Sequence, residues 1–235
     1  MNPEKVTHYI TVMQEGLSDE ELYDRALYDR RFVLQHFDEI DTYVKILSDS
    51  QRANGQEMDE TATIRQAIHD FKFDYYCRVL GRDGENMKIR TFLQQHMREV
   101  ESVSLNGNML ELMSEGVVDE KTALQIGIRR AKRDHYLGLY YSDVQPDTIE
   151  DKDTFEYERA EMRSFINNHI DEIETTIENK RYMAEYEEGG ARFEQEIVKE
   201  AIDELIQADK ERKSQISVAG IKKAVDEYGQ NIDGR

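Results

Sequence analysis

The chain is predicted to be all-α, with three imperfect helical-hairpin repeats followed by a C-terminal helical extension. Three observations predict this. A twelve-residue pattern recurs as Arg30 to Asp41 (RRFVLQHFDEID), Arg90 to Glu101 (RTFLQQHMREVE) and Arg163 to Glu174 (RSFINNHIDEIE). Within it Arg, Phe, His and Glu keep fixed offsets, and half of the 6 histidines in the chain sit at one of them. Recurrence of this kind marks an internal repeat. The apolar members of each copy fall on one face of a helical projection, as in Phe92, Leu93, His96, Met97, Val100 and Val103. Finally, only 2 prolines and 13 glycines occur, and Glu, Arg, Leu, Met and Ala are plentiful, which favours helices over sheets.

Taken in order, the first unit spans about residues 13–47. Met13 to Glu20 (MQEGLSDE) carries a Gly able to end one helix and an acidic start for the next, and Met113 to Glu120 (MSEGVVDE) echoes it. This unit lacks room for a separate leading helix. Asp19 to Leu47 is therefore expected as one long helix, or as two with a sharp break.

The second unit (about 57–104) and the third (about 113–178) each place a further helix before the histidine segment. Ile64 to Leu80 aligns with Leu124 to Tyr140, matching Ala67 with Gly127, Lys72 with Lys132, Asp74 with Asp134 and Tyr76 with Tyr136. Gly81-Arg-Asp-Gly84 supplies a short turn in the second unit. Ser142 to Thr154 forms a longer acidic loop with Pro146 in the third.

The repeat domain is expected to cover 1–186 and the extension 187–235. Glu187 to Gly190 reads as a hinge or helix end. Ala191 to Ala208 is amphipathic, with Phe193, Ile197, Ala201 and Leu205 on one stripe. Ser217 to Tyr228 is expected as a last short helix, with Ile221, Ala224, Val225 and Tyr228 inward. The end of the chain from Gly229 is expected to fray. The total expected is seven to nine helices.

Net charge is −19. That field repels nucleic-acid phosphates and anionic lipids, so direct nucleic-acid binding is not expected. An acidic surface that occupies the site of a nucleic-acid-binding protein is a weaker alternative. The single cysteine, Cys77, cannot form an internal disulfide and suits a reducing compartment, where it reads as a small core residue. The N-terminal MNPEKVTHYI lacks the apolar core of a signal peptide, and no run approaches the roughly 20 apolar residues of a membrane helix. A cytoplasmic protein with no membrane association is expected, in a cell or in a virus replicating within one.

Candidate chemistry centres on His36 with Glu39, His96 with Glu99, and His169 with Glu172. The structural reading makes each histidine a mostly buried, hydrogen-bonded residue at an inter-helix contact. The alternative is a metal-binding helical-bundle enzyme or sensor, because His and Glu at i and i+3 can reach one ion. The order His-x-x-Glu is the reverse of that in di-metal bundles. Asp74 and Asp134 are the only matched carboxylates on the other helices. The spacing from Arg30, Arg31, Arg90 and Arg163 to the histidines is similar to the Arg-x(4–6)-His of helical ribonucleases of the HEPN superfamily. Three copies and the negative charge count against an RNA-cleaving site.

Asp143 to Glu156 lacks the alternating ligands and central Gly of an EF-hand loop. The basic cluster Arg129, Arg130, Lys132 and Arg133 is expected to meet the acidic loop that follows it, in preference to a phosphate or an acidic partner. The function expected is non-catalytic and without a cofactor: an adaptor, assembly component or regulator that binds a protein partner or its own copies.

Overall fold

The computed structural model describes residues 2–55, 57, 59–144, 152–187 and 193–232, with the side chains of 24, 185–187 and 216–232 excepted. Among them the chain is all-α, with ten helical segments and no strand. Two of the ten are short: α5 (Arg82–Glu85) and α7 (Gly107–Ser114). The chain divides into two compact units, Met1–Ala131 and Lys132–Arg235.

The first unit begins with α1 (Pro3–Gln14). A separate leading helix is therefore present where none was expected. Asn2 caps it by accepting from the Glu4 N–H, and Pro3 occupies the first turn, where its absent N–H costs nothing. Gly16, at φ 79°, ends the helix in the left-handed region. Ser18 and Glu21 then form a reciprocal capping box that starts α2 (Asp19–Gln35). Gly116 (φ 72°) repeats the stop, and Asp119 accepts from the Thr122 N–H at the start of α8 (Glu120–Tyr140).

Helix α2 breaks at His36 and resumes as α3 (Phe37–Ala53), the two-helix form of the long segment. After it come α4 (Glu60–Leu80), α5 and α6 (Met87–Ser104). Helix α3 lies along α4, and α1 packs on both α2 and α4. One buried cluster joins Tyr9, Val33, Phe37, Ile40, Ile64 and Phe71; another joins Tyr76, Leu80, Leu93, Val100, Leu124 and Ile128. Cys77 is buried in the latter, as expected, and burial pushes its thiol up. Two glycines permit close packing here. A Cβ on Gly84 would lie 2.0 Å from the Cys77 carbonyl oxygen, and one on Gly127 would lie 2.0 Å from Ser104 Oγ.

The second unit contains the end of α8, α9 (Lys152–Glu187) and α10 (Glu194–Ile232), with α9 packed on α10. Its core joins Leu137, Ile166, Ile173, Val198, Ala201 and Ile202. Two expectations are corrected here. The tail is one continuous helix through Ile232, because Asp209 to Ile216 (DKERKSQI) has no Gly or Pro to break it and Asp209 pairs with Lys213 one turn on. Phe193 lies just before α10, 78 % exposed, with its carbonyl accepting the Glu196 and Ile197 N–H groups, so it is not part of the inward stripe. The inward placement of Ile221, Ala224, Val225 and Tyr228, most of the 142–154 loop and the final residues 233–235 lie outside the described residues.

Candidate functional site

The three repeated histidines share one local geometry. His36, His96 and His169 each leave helical backbone values, at φ −116°, −125° and −116° with ψ 19°, 27° and 18°. Each marks a kink, and each imidazole lies against the Phe one turn earlier. The ring centroids are 4.9 Å apart for Phe32–His36, 4.4 Å for Phe92–His96 and 4.5 Å for Phe165–His169. Each Nδ1 faces the Glu three residues on, at 3.8 Å for Glu39, 3.9 Å for Glu99 and 3.5 Å for Glu172.

The side chains are 21 %, 21 % and 22 % exposed, mostly buried as expected, at the edge of the core. The Nδ1–Glu separations exceed hydrogen-bond length. These carboxylates therefore act as nearby charges and do not hold the rings. Among the described residues, no group of three or more His, Cys, Asp and Glu side chains can hold a metal ion. The matched aspartates are engaged elsewhere. Asp74 accepts the Tyr43 hydroxyl at 2.5 Å, and Asp134 takes Arg133 at 2.8 Å and faces Arg163 at 3.6 Å.

A second constellation also recurs three times, and sequence reasoning did not assemble it. The last residue of each twelve-residue copy is acidic: Asp41, Glu101 and Glu174. Each accepts from a Lys and from the Tyr one turn later on another helix. Glu101 Oε1 accepts from Lys72 Nζ at 2.8 Å and from the Tyr76 hydroxyl at 2.7 Å. Glu174 Oε1 pairs with Lys132 Nζ at 2.5 Å and accepts from Tyr136 at 3.3 Å. Asp41 Oδ1 pairs with Lys5 and accepts from Tyr9 at 2.7 Å. In all three, both donors reach the same carboxylate oxygen. Lys132, part of the basic cluster expected to meet the acidic loop that follows it, pairs with Glu174 on α9 instead.

The middle node is the deepest. Glu101 Oε2 accepts from Arg25 at 3.1 Å, and Arg25 also reaches Asp29 at 3.3 Å. Arg25, Asp29, Lys72 and Glu101 are all buried. Burial raises the Glu101 pKa, but Lys72 and Arg25 more than offset this and hold it at about 2. Burial raises the Asp29 carboxyl from its ordinary value despite Arg25. Burial and the Glu101 charge push the Tyr76 hydroxyl well up, so it stays a donor. At Asp41, Lys5 and Tyr9 likewise overcome burial and lower the pKa to about 2.

A cleft of about 220 Å³ in the first unit reaches Arg25, Lys72 and Glu101, with Arg65, His69 and Arg98 also lining it. Arg65 pairs with Glu15, while Arg98 faces Glu21 at 3.8 Å and donates to the Gly16 carbonyl at 2.5 Å. These charges are spent on the protein itself.

The surface of α2 has the opposite character. Tyr23 and Leu27 are 89 % and 84 % exposed, the highest values for large apolar side chains among the described residues, and Leu34 is 41 % exposed. The chain matches no protein-family model, no curated protein and no solved structure.

Proposed function

We propose that this protein is a non-catalytic helical scaffold that works by protein–protein association, as an adaptor, an assembly component or a regulator. One observation carries this reading: beside apolar cores, the fold pairs a buried charge cluster with large apolar side chains exposed along α2. Lys72, Arg25 and Glu101 are interior, while Tyr23 and Leu27 are on the surface. Buried charges and exposed large apolar side chains are the two departures from ordinary folding that call for a reason. The charges find theirs in one another. Among the described residues the apolar surface has no partner, and it suits one outside the chain.

The architecture behind this reading is three imperfect helical-hairpin units. We pair α1 with α2 and α3, α4 with α6, and α8 with α9, each pair closed by a Lys–Tyr–acid node. A repeat region of 1–186 and an extension of 187–235 complete it. The repeated polar residues then serve the scaffold, and the unrepeated surface serves the partner. A metal-dependent activity would need a third ligand beside a His-x-x-Glu pair, and the described residues supply none. Among the described residues, no helix is long and apolar enough to cross a membrane, so the exposed apolar side chains are assigned to a protein partner.

Affinity capture of the full chain from its native host tests the proposal. Near-stoichiometric co-capture of a protein, or of a second differently tagged copy, is expected. Isolation as a monomer carrying a stoichiometric transition metal would overturn it.

A further inference from the structure

We infer that the outer face of α2 docks a second copy of this chain, helix on helix and antiparallel, in a twofold dimer. This rests on the association reading and names its partner. Glu20, Tyr23, Leu27, Arg30 and Leu34 are all exposed and follow a 3–4–3–4 spacing. That spacing draws one seam along a helix, the pattern by which two helices pack side by side. The helix has 17 residues, about 25 Å of contact length.

The internal repeat provides a control. At the offsets of Tyr23, Leu27 and Leu34 the third copy, helical throughout, has Glu156, Ala160 and Asn167, and at the offsets of Leu27 and Leu34 the second copy has Met87 and Gln94 on α6. The scaffold therefore does not require apolar residues there, and only the first copy has them at all three places.

Charge selects the occupant and its direction. The first turn of α2 is acidic, with Asp19 and Glu20 exposed, and the later turns expose Arg30 and Arg31. A twofold interface must be self-complementary. An antiparallel pair centred on Leu27 sets Leu27 against Leu27, Tyr23 beside Arg31, and the basic turns of each copy within reach of the acidic turn of the other. A parallel pair would set acid on acid and base on base. A net charge of −19 makes copies repel elsewhere, so association needs a patch of this kind. One helix pair buries less than a standard interface, so the dissociation constant is expected on the order of 1–100 µM.

Sedimentation velocity of the full chain over a concentration series tests this. The wild type should shift from the mass of one chain toward that of two. Leu27→Glu should raise the dissociation constant at least about tenfold with no change in melting temperature, because Leu27 touches little of its own fold. The acid-only variant Arg30→Glu/Arg31→Glu and the base-only variant Asp19→Lys/Glu20→Lys should each be monomeric, and an equimolar mixture should form a heterodimer. A wild type that stays monomeric through the series, a dimer unaffected by Leu27→Glu, or a mixture that stays monomeric would overturn the proposal. Capture of a different protein by a monomeric wild type, lost in Leu27→Glu, removes the second-copy docking and leaves the association reading standing. Monomeric behaviour with no captured partner removes both.

Discussion

The Lys72 ammonium and the Glu101 carboxylate meet at 2.8 Å, with only 6 % and 8 % of their side chains exposed. Tyr76 and Arg25 fill the remaining acceptor positions of the carboxylate, which is what makes such a pair tolerable in the interior. The pair ties α4 to α6, and Arg25 brings in α2. Removing Lys72 leaves the buried Glu101 with Arg25 and Tyr76 but without the ammonium that neutralises much of its charge.

Lys72→Met should therefore cost about 3–5 kcal/mol, the range for breaking a buried ion pair. Lys5→Met should cost far less, about 1 kcal/mol or below, because the Lys5 side chain is 40 % exposed and solvent replaces its partner. Urea unfolding of the two variants checks the order. Equal losses would show that burial does not rank the nodes.

Acid should unfold the first unit. The Glu101 pKa falls from 4.5 to about 2 on folding, so its contribution is complete above roughly pH 4.5 and is lost as pH falls toward 2. Asp41, lowered from 3.8 to about 2, acts in the same direction. For Glu101 the contribution is on the order of 3 kcal/mol. Asp29 is raised and opposes it. Glu101→Gln should be less stable at neutral pH, and its unfolding midpoint should depend less on pH between 4.5 and 2. An unchanged slope would show that Glu101 does not carry the acid sensitivity.

Gly127→Ala should destabilise by about 1–3 kcal/mol, since its Cβ would lie 2.0 Å from Ser104 Oγ and 2.8 Å from the Val100 carbonyl oxygen. Adding Ser104→Ala removes the nearer atom and should recover part of the loss. Thermal melts of the single and double variants decide the matter. Full tolerance of the single change would mean that α6 and α8 can move apart freely.

Replacing His169 by Ala should cost only about 1 kcal/mol or less. The ring is 22 % exposed, and its contact with Glu172 is longer than a hydrogen bond, so chiefly the packing on Phe165 is lost. Elemental analysis of protein purified without added ions should find no stoichiometric transition metal. A metal lost together with His169 would revive the His-x-x-Glu centre.

Much of this was legible in the chain because it depends on short-range spacing. The apolar stripe around each histidine and the stops at Gly16 and Gly116 follow from neighbours within two turns. The Lys–Tyr–acid nodes were harder to see because each acid is 25 to 42 residues from its donors, from Tyr76–Glu101 up to Lys132–Glu174. Lys and Tyr at i and i+4 alone look like ordinary helix packing. Helix α1 was missed for the same reason: only Lys5 and Tyr9 link it to the other leading helices. One signal was available, since Lys5 to Tyr9 (KVTHY) and Lys132 to Tyr136 (KRDHY) share His before Tyr. The kinks at the histidines left no sequence mark, because no Gly or Pro accompanies them.

The most direct test of association through α2 is photo-crosslinking in the native host, with a photoreactive residue in place of Leu27 and a control at exposed Glu99 on α6. The expected product is an adduct from position 27 with the mass of two chains, and little or none from position 99. An adduct with a different protein would retain the association function and remove the second-copy docking. A chain that stays a single species after irradiation at position 27 would contradict the association function through this face.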